Sequence, residues 1–402
     1  MSTINGIFVS SDLDSNLVKR SFSGMLTRLM PNGTAPLLAI SSMLKEETAL
    51  QSTHGFWSKT IPFPSLKLNG AIADGTTSVF VVDDTSNVIP NMLMRVQSTG
   101  EMIMIQSIIS ATQVTVIRGF GSVSAAAIAD DVEMYQVGNA HEEASTRPQA
   151  RAVNPVYITN FTQIFRDSWA LSETTRATMV EAGDDTVSES KRDCVGFHAT
   201  GIETALIFGQ KFQTTKNGQP LRTMMGLERF VATYAPSNVT TAGSTTNYTQ
   251  LEAALDPVFD QVTDPTAGNE RVLFVGGTAR KVINKIGQLS GSYQIVDGQT
   301  SFGLQFSSFK TTRGTFRMIE HPLFNTNTAW SKLAMAVDLS TFSVCYLTGR
   351  KTSNKEFNTA GNQAQDNGVD AVGGTLTTEA TALVKNPAAN AVIWNLTAGA
   401  AG

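Results

Sequence analysis

The chain has 402 residues, of which 41% are hydrophobic and 16% charged, and its 30 Lys and Arg against 34 Asp and Glu leave a net charge of −4. That length exceeds what one hydrophobic core usually holds and predicts several subdomains. The near balance of charge excludes the basic footprint of a dedicated nucleic-acid binder, and a surface so dependent on uncharged polar residues does little to keep copies of the chain apart.

Residues 1–61 read as an arm with a short helical portion, because PNGTAP (Pro31 to Pro36) interrupts two weakly periodic apolar stretches. From 62 to 140 the pattern changes to short strands, SVFVVD, MLMRVQ, EMIMIQSI and QVTVIRG, separated by DDTSN, STG and ISAT. This predicts a small antiparallel β module. In EMIMIQSI, Met102 and Met104 alternate against Ile103 and Ile105, so both faces are apolar. Such a unit either needs partners on both sides or encloses a core of its own.

A helix of some 25 residues is expected between Asp184 and Phe212, with Val187, Cys194, Val195, His198, Ile202, Ala205, Leu206 and Gly209 on one face and Glu189, Arg192, Asp193 and Glu203 largely elsewhere. Further on, YTQLEAALDPVFDQV and TARKVINKIGQL read as helices, and RVLFVGG, TFRMIEH, KLAMAVDL and FSVCYL as strands. Residues 351–374 read as a Gly-, Asn- and Gln-rich connector, followed by a β-like return through TLTTEATALV and KNPAANAVIWNL. The alternation predicts an α+β or α/β layer.

The search for chemistry yields no catalytic, cofactor-binding or metal-ligating residue. His54, His141, His198 and His321 are scattered, and none has a second His or Cys at metal-ligand spacing. His198 falls on the buried face of the long helix and reads as a satisfied core or interface histidine rather than a catalytic base. Asp12, Asp14 and Asn16 open a calcium-loop pattern that fails at Leu17 and Ser23. The acidic pairs Glu46-Glu47, Asp83-Asp84, Asp130-Asp131, Glu142-Glu143 and Asp184-Asp185 fit turns and helix starts. GFG at Gly119 and VGG at Val275 lack the rest of a dinucleotide fingerprint, and GQLSG at Gly287 misplaces Ser290 for a nucleophile elbow. Cys194 and Cys345 offer no disulfide framework, which favours a reducing compartment. No signal peptide and no apolar run of the ~18 residues needed for a membrane span is present.

Taken in order, the segments resemble the major capsid proteins of tailed phages with the Hong Kong 97-type fold, in the lineage with a β-rich insert in the extended loop. TRLMPNGTAPLLAISSMLKEETALQSTHGFWSKTIPFP resembles the N-terminal arm, with Trp57 as its aromatic. QVTVIRGFGSVSAAAIADDVEMYQVGNAHEEAS resembles the close of the inserted β unit, and NFTQIFRDSWALSETT the Asn-X-X-Gln-Ile-Phe segment that returns to the peripheral domain. IETALIFGQ resembles the end of the spine helix, GQPLRTMMGLERFV the Arg-X-X-X-Gly-Leu turn after it, and AVDLSTFSVCYLTGR with TLTTEATALVKNPAANAVIWNL the axial strands and the terminal return.

The resemblance implies an α+β fold divided into an arm (1–61), an extended loop with β insertion (62–140), a peripheral domain with the spine helix (141–230), an axial domain (231–350), and a connector and return strand to the peripheral domain (351–402). It implies a shell subunit without enzymatic activity that assembles with itself into hexamers and pentamers around double-stranded DNA, in the host cytoplasm and then in the virion. Partners implied are a separate scaffolding protein, a portal protein at one vertex and a decoration protein, with only weak non-specific contact to DNA and none to a membrane. Lys67 lies in the loop region, but nothing supports a covalent crosslink there. The alternatives are another phage structural subunit, of tail or decoration type, and a hydrolase with a β-rich binding module.

Overall fold

The structure, a computed structural model, describes Leu37 and residues 46–61, 63–178, 186–261, 269–290, 300–301, 304–305, 307–357 and 370–399. The expected arm before residue 46, apart from Leu37, and the failed calcium loop and Asp184-Asp185 with it, lie outside the described residues. The chain forms two compact units, one of residues 1–56 with 159–402, the other of residues 57–158. It passes between them through two mutually paired strands, Thr53–Ser58 and Val156–Phe161.

The smaller unit is an antiparallel sheet of six strands in the order Ser65–Lys67, Glu133–Asn139, Met92–Val96, Met102–Ser110, Gln113–Ile117, Val79–Val81. Its two outer strands meet: Leu68 bridges Val82, and the Asn69 and Asp83 N–H groups donate to the carbonyls of Val81 and Lys67 at 2.9 and 3.0 Å. The sheet is therefore a closed barrel. Register shifts at Leu93/Met94 and within Met102–Ser110 supply the bends that closure needs. Alternate residues point inward, so Met92, Met94, Val96, Ile103, Ile105, Val114, Val116 and Phe80 fill one core. Of the two readings of EMIMIQSI, the module with its own core is the observed one: Ile103 and Ile105 are buried and Met102 and Met104 half-buried.

One buried ion pair ties the barrel's loops. Glu101, fully buried, takes the Arg118 Nε and Nη2 at 2.7 Å each and accepts the Gly119 and Ala126 N–H groups at 2.9 and 3.4 Å. Arg118 also donates to the carbonyls of Ala126 and Asp74 and lies over the Phe80 ring.

The larger unit is built on two main sheets, besides smaller hairpins. In the first, Ala371–Val384 pairs antiparallel with Gln163–Ser172 along ten residues, and on its other edge with Phe342–Leu347 and Ser353–Phe357. Glu47–Ala49 completes the sheet in parallel with Phe342–Leu347. The second sheet runs Val239–Thr241, Ala391–Trp394, Ala334–Val337, Glu270–Val275, Thr315–Glu320, Ser307–Lys310, with helices Tyr248–Leu255 and Gly277–Ser290 contributing to its core.

Two expectations change here. Residues 351–374 are more than a connector, since Ser353–Phe357 is a strand; 358–369 lie outside the described residues. The return segment also divides between sheets: Ala371–Val384 joins the first and Ala391–Trp394 the second, because Asn386 and Pro387 break the strand and a single turn of helix, Pro387–Ala389, redirects it.

The long helix is Thr186–Phe208, 23 residues and about 35 Å at ~1.5 Å per residue. Cys194, His198, Ile202 and Leu206 recur every fourth residue on its buried face, as the spacing predicts. Val195 and Glu203 exchange their expected places. Val195 is 54% exposed, whereas Glu203 is fully buried, because its carboxylate has partners inside the unit: the His321 Nε2 and the Leu37 N–H, both at 2.8 Å. A buried charge persists only when it is paired and hydrogen-bonded.

Glu101→Gln should unpair a buried guanidinium and destabilise the barrel by roughly 3–5 kcal/mol, read by hydrogen exchange in the 102–117 strands. Burial alone would raise the Glu101 carboxyl, but Arg118 and the Gly119 and Ala126 N–H groups outweigh it and hold it below its ordinary value. With the folded value depressed, this contribution is fully present above the unfolded carboxylate value and is lost as pH falls through the folded one. Acid titration of the wild type should open these strands, and Glu101→Gln should flatten that dependence.

Candidate assembly interface

The side chains with chemical potential are mostly engaged in structure. His198 comes nearest to a catalytic arrangement: its Nδ1 lies 2.6 Å from Asp167 Oδ2 and its Nε2 2.7 Å from the Thr378 hydroxyl. That is the order of groups in an acid–base–nucleophile triad. Thr378 is fully buried, however, and its hydroxyl also bonds Thr352 at 2.8 Å, so no substrate can reach it. The set pins the long helix to the strands beneath it, in keeping with a core histidine.

His321 stacks on Phe324 at 4.5 Å and pairs with Glu203, and His141 is exposed beside Asn91. Both thiols are raised by burial, Cys345 to about 12, which makes them poor nucleophiles where no bound cation displaces the proton. Lys67 bonds Asp131 at 2.7 Å, and this contact raises its ammonium above the usual lysine value. It keeps its proton and is a poor amine nucleophile. The acidic pairs do turn and ion-pair work: Asp84 accepts the Ser86 N–H, Asp130 the Gly70 N–H, and Glu46 and Glu47 take Lys351 and Lys385. A cavity of about 700 Å³ opens at the start of helix Gly277–Ser290, where Arg280 pairs with Glu320 at 3.0 Å and Asn325 bridges Glu320 and the Gly277 N–H.

Two segments singled out by resemblance have a plain structural role. Asn160 is fully buried; its Oδ1 accepts the Met225 N–H at 2.7 Å and its Nδ2 donates to the carbonyls of Ala382 and Met225. Gln163, three residues on, accepts the Met224 N–H at 3.0 Å. Together they fasten the Arg-X-X-X-Gly-Leu turn to the first sheet. Gly226 in that turn crosses the end of the long helix so closely that a Cβ would meet Gly209 N at 2.6 Å and Ile207 O at 2.7 Å. Only glycine fits there.

What the surface offers is association. Large apolar side chains stand in solvent at several places. In the smaller unit Trp57 is 67% exposed and packs against the half-exposed Tyr157 at 4.8 Å, and Ile61 and Phe63 are exposed beside them in sequence. On the long helix Phe197 is 73% exposed next to Val195. The hairpin Phe212–Lys216 with Gln219–Thr223 is exposed along nearly its whole length and carries Phe212 and Leu221. Isolated two-stranded hairpins are marginal in water, and covering an exposed aromatic is worth roughly 1.5–3 kcal/mol, so a neighbouring chain would stabilise whichever of these features it covered. Among the described residues no helix is long and apolar enough to cross a membrane.

These features define a structural subunit that works by contact with other chains. The family model for the SU10 major capsid protein matches residues 4–397, and the major capsid protein of Pseudomonas phage PaMx41 is 37% identical over 408 residues, 98% of this chain and 97% of that one. The chain belongs to the SU10 major capsid protein family and forms the shell of a phage capsid. Solved structures it is similar to include one from Mycobacterium phage Bobi (11% identity, TM-score 0.47, 96% of this chain and 97% of that chain) and the capsid of a native GTA particle (10% identity, TM-score 0.47, 97% of each chain).

Phe197→Asp replaces a side chain that stands in solvent and should change stability by no more than about ±0.5 kcal/mol, while reducing the fraction of protein that sediments as shells. Trp57→Ala should reduce that fraction likewise, at the further cost of its ring contact with Tyr157, about 0.5–1.5 kcal/mol.

Proposed function

We propose that one chain fills both hexamers and pentamers of an icosahedral head of Hong Kong 97 type around double-stranded DNA, and that residues 57–158 are the extended loop, which each subunit lays on a neighbour. The observation that carries this reading is the barrel itself. It has its own core and is continuous with the rest of the chain through two paired strands, and exposed Trp57, Tyr157 and Phe63 lie at that junction in the sequence. A self-sufficient module on a ribbon is dispensable for folding the remainder and available for contact.

In this assignment the sheet built on Ala371–Val384, with the long helix, is the peripheral domain, and the sheet of Glu270–Val275 is the axial domain. Head-to-tail contacts around local five- and six-fold axes require one surface to meet a different one and to tolerate small rotations between settings. Assembly takes place in the host cytoplasm with a separate scaffolding protein and a portal at one vertex. The near-neutral charge fits weak, non-specific contact with the packaged DNA.

The test is replacement of residues 59–155 by a short Gly-Ser turn joining the two ribbon strands, whose ends Trp57 and Tyr157 already bring together. The variant should fold with a near-unchanged midpoint for the larger unit and form no closed shells in electron microscopy. Normal heads from it would overturn the extended-loop assignment.

A further inference from the structure

The Glu47 carboxylate, the His54 imidazole and the Cys345 thiol, distant in sequence, each offer a ligand atom, and these atoms all lie within 4.8 Å of one another. The topology brings them together. Glu47 and Cys345 are register partners in the parallel pairing of Glu47–Ala49 with Phe342–Leu347, and His54 begins the next strand after the bend at 50–52. Cys345 is fully buried. The Nε2 of His54 is also buried and has no hydrogen-bond partner, a costly state for a polar nitrogen.

We propose that Glu47, His54 and Cys345 form a binding site for a zinc-class divalent cation, with the fourth position open to water. One sulfur, one imidazole nitrogen and one carboxylate oxygen suit a borderline-soft ion of tetrahedral habit, and do not suit calcium or magnesium, which require oxygen ligands. Bond lengths of about 2.0–2.3 Å place tetrahedral ligands roughly 3.5 Å apart. The three atoms therefore need to close by at most about 1.3 Å, within reach of side-chain rotation. Lys385 pairs with Oε1 of Glu47 and leaves Oε2 for the ion. A cation held here would staple the strand Glu47–Ala49, the first ribbon strand and Phe342–Leu347 to one another. The expectation of no metal site came from local His and Cys spacing, to which ligands gathered from three strands are invisible.

The test uses untagged full-length protein, stripped with EDTA and titrated with Co²⁺. One equivalent should bind with a near-ultraviolet thiolate-to-cobalt charge-transfer band, and Zn²⁺ should displace it. Cys345→Ser should abolish the band, and His54→Gln should weaken binding by more than about tenfold, since even indirect supports of a metal site cost that much. Circular dichroism and the thermal midpoint establish that each variant is folded. Absence of the band in folded wild-type protein overturns the proposal, as does a band that persists in Cys345→Ser. Should Cys345→Ser not fold, His54→Gln decides, because unchanged affinity in that variant places the ion elsewhere.

Discussion

The strand Ala371–Val384 is the constraint on which the larger unit depends. Gln163–Ser172 pairs along one edge, Phe342–Leu347 and Ser353–Phe357 share the other, and the long helix packs across it through Cys194 against Val372 and Leu376. Most of its fourteen residues are buried, so alternation of polar and apolar side chains is replaced by a Thr- and Ala-rich run whose hydroxyls need internal partners. His198 and Thr352 serve Thr378, and the hydroxyl of Thr162 is engaged by Glu379. At Gly373 and Gly374 the strand gives up side chains altogether: a Cβ there would meet the Phe357 ring at 2.4 Å and Trp169 at 2.8 Å. The two aromatics lie against bare backbone, which locks the strand between its neighbours.

Function follows from what this frame leaves uncovered. Among the described residues the barrel closes on itself and leaves no free strand edge, so any contact it makes with another chain would run through side chains and loops. Exposed aromatics at Trp57, Tyr157 and Phe63 meet that requirement. Scarcity of charge works in the same direction, since weak like-charge repulsion lets identical surfaces approach. The buried pairs Glu101 with Arg118, Arg271 with Asp338 and Glu203 with His321 each lie inside one unit and help to fix its shape.

Much of this was legible in the sequence where a local rule governs. The every-fourth-residue spacing of Cys194, His198, Ile202 and Leu206 marked the long helix, and period-two alternation marked the barrel strands. Closure of the barrel was not legible, because it depends on bulges and on the meeting of Leu68 with Val82. The burial of Glu203 was hidden for the same reason: its partners, Leu37 and His321, are remote, and by helix periodicity alone a glutamate belongs outside. The hairpin after the long helix went unread although Asn217-Gly218, both at positive φ, is a strong turn signal. The exposure of Phe197 and Trp57 was not legible, because whether a large apolar side chain is covered depends on packing remote in sequence.

The most direct test of the central claim, that function resides in surfaces completed by neighbouring copies, is a cryo-electron microscopy reconstruction of shells assembled from the full-length chain. Trp57, Ile61, Phe63 and Phe197 should be covered by adjacent subunits, with residues 57–158 of one chain lying on the next. A shell in which these side chains face solvent, or a chain that remains monomeric under every condition, would contradict the account.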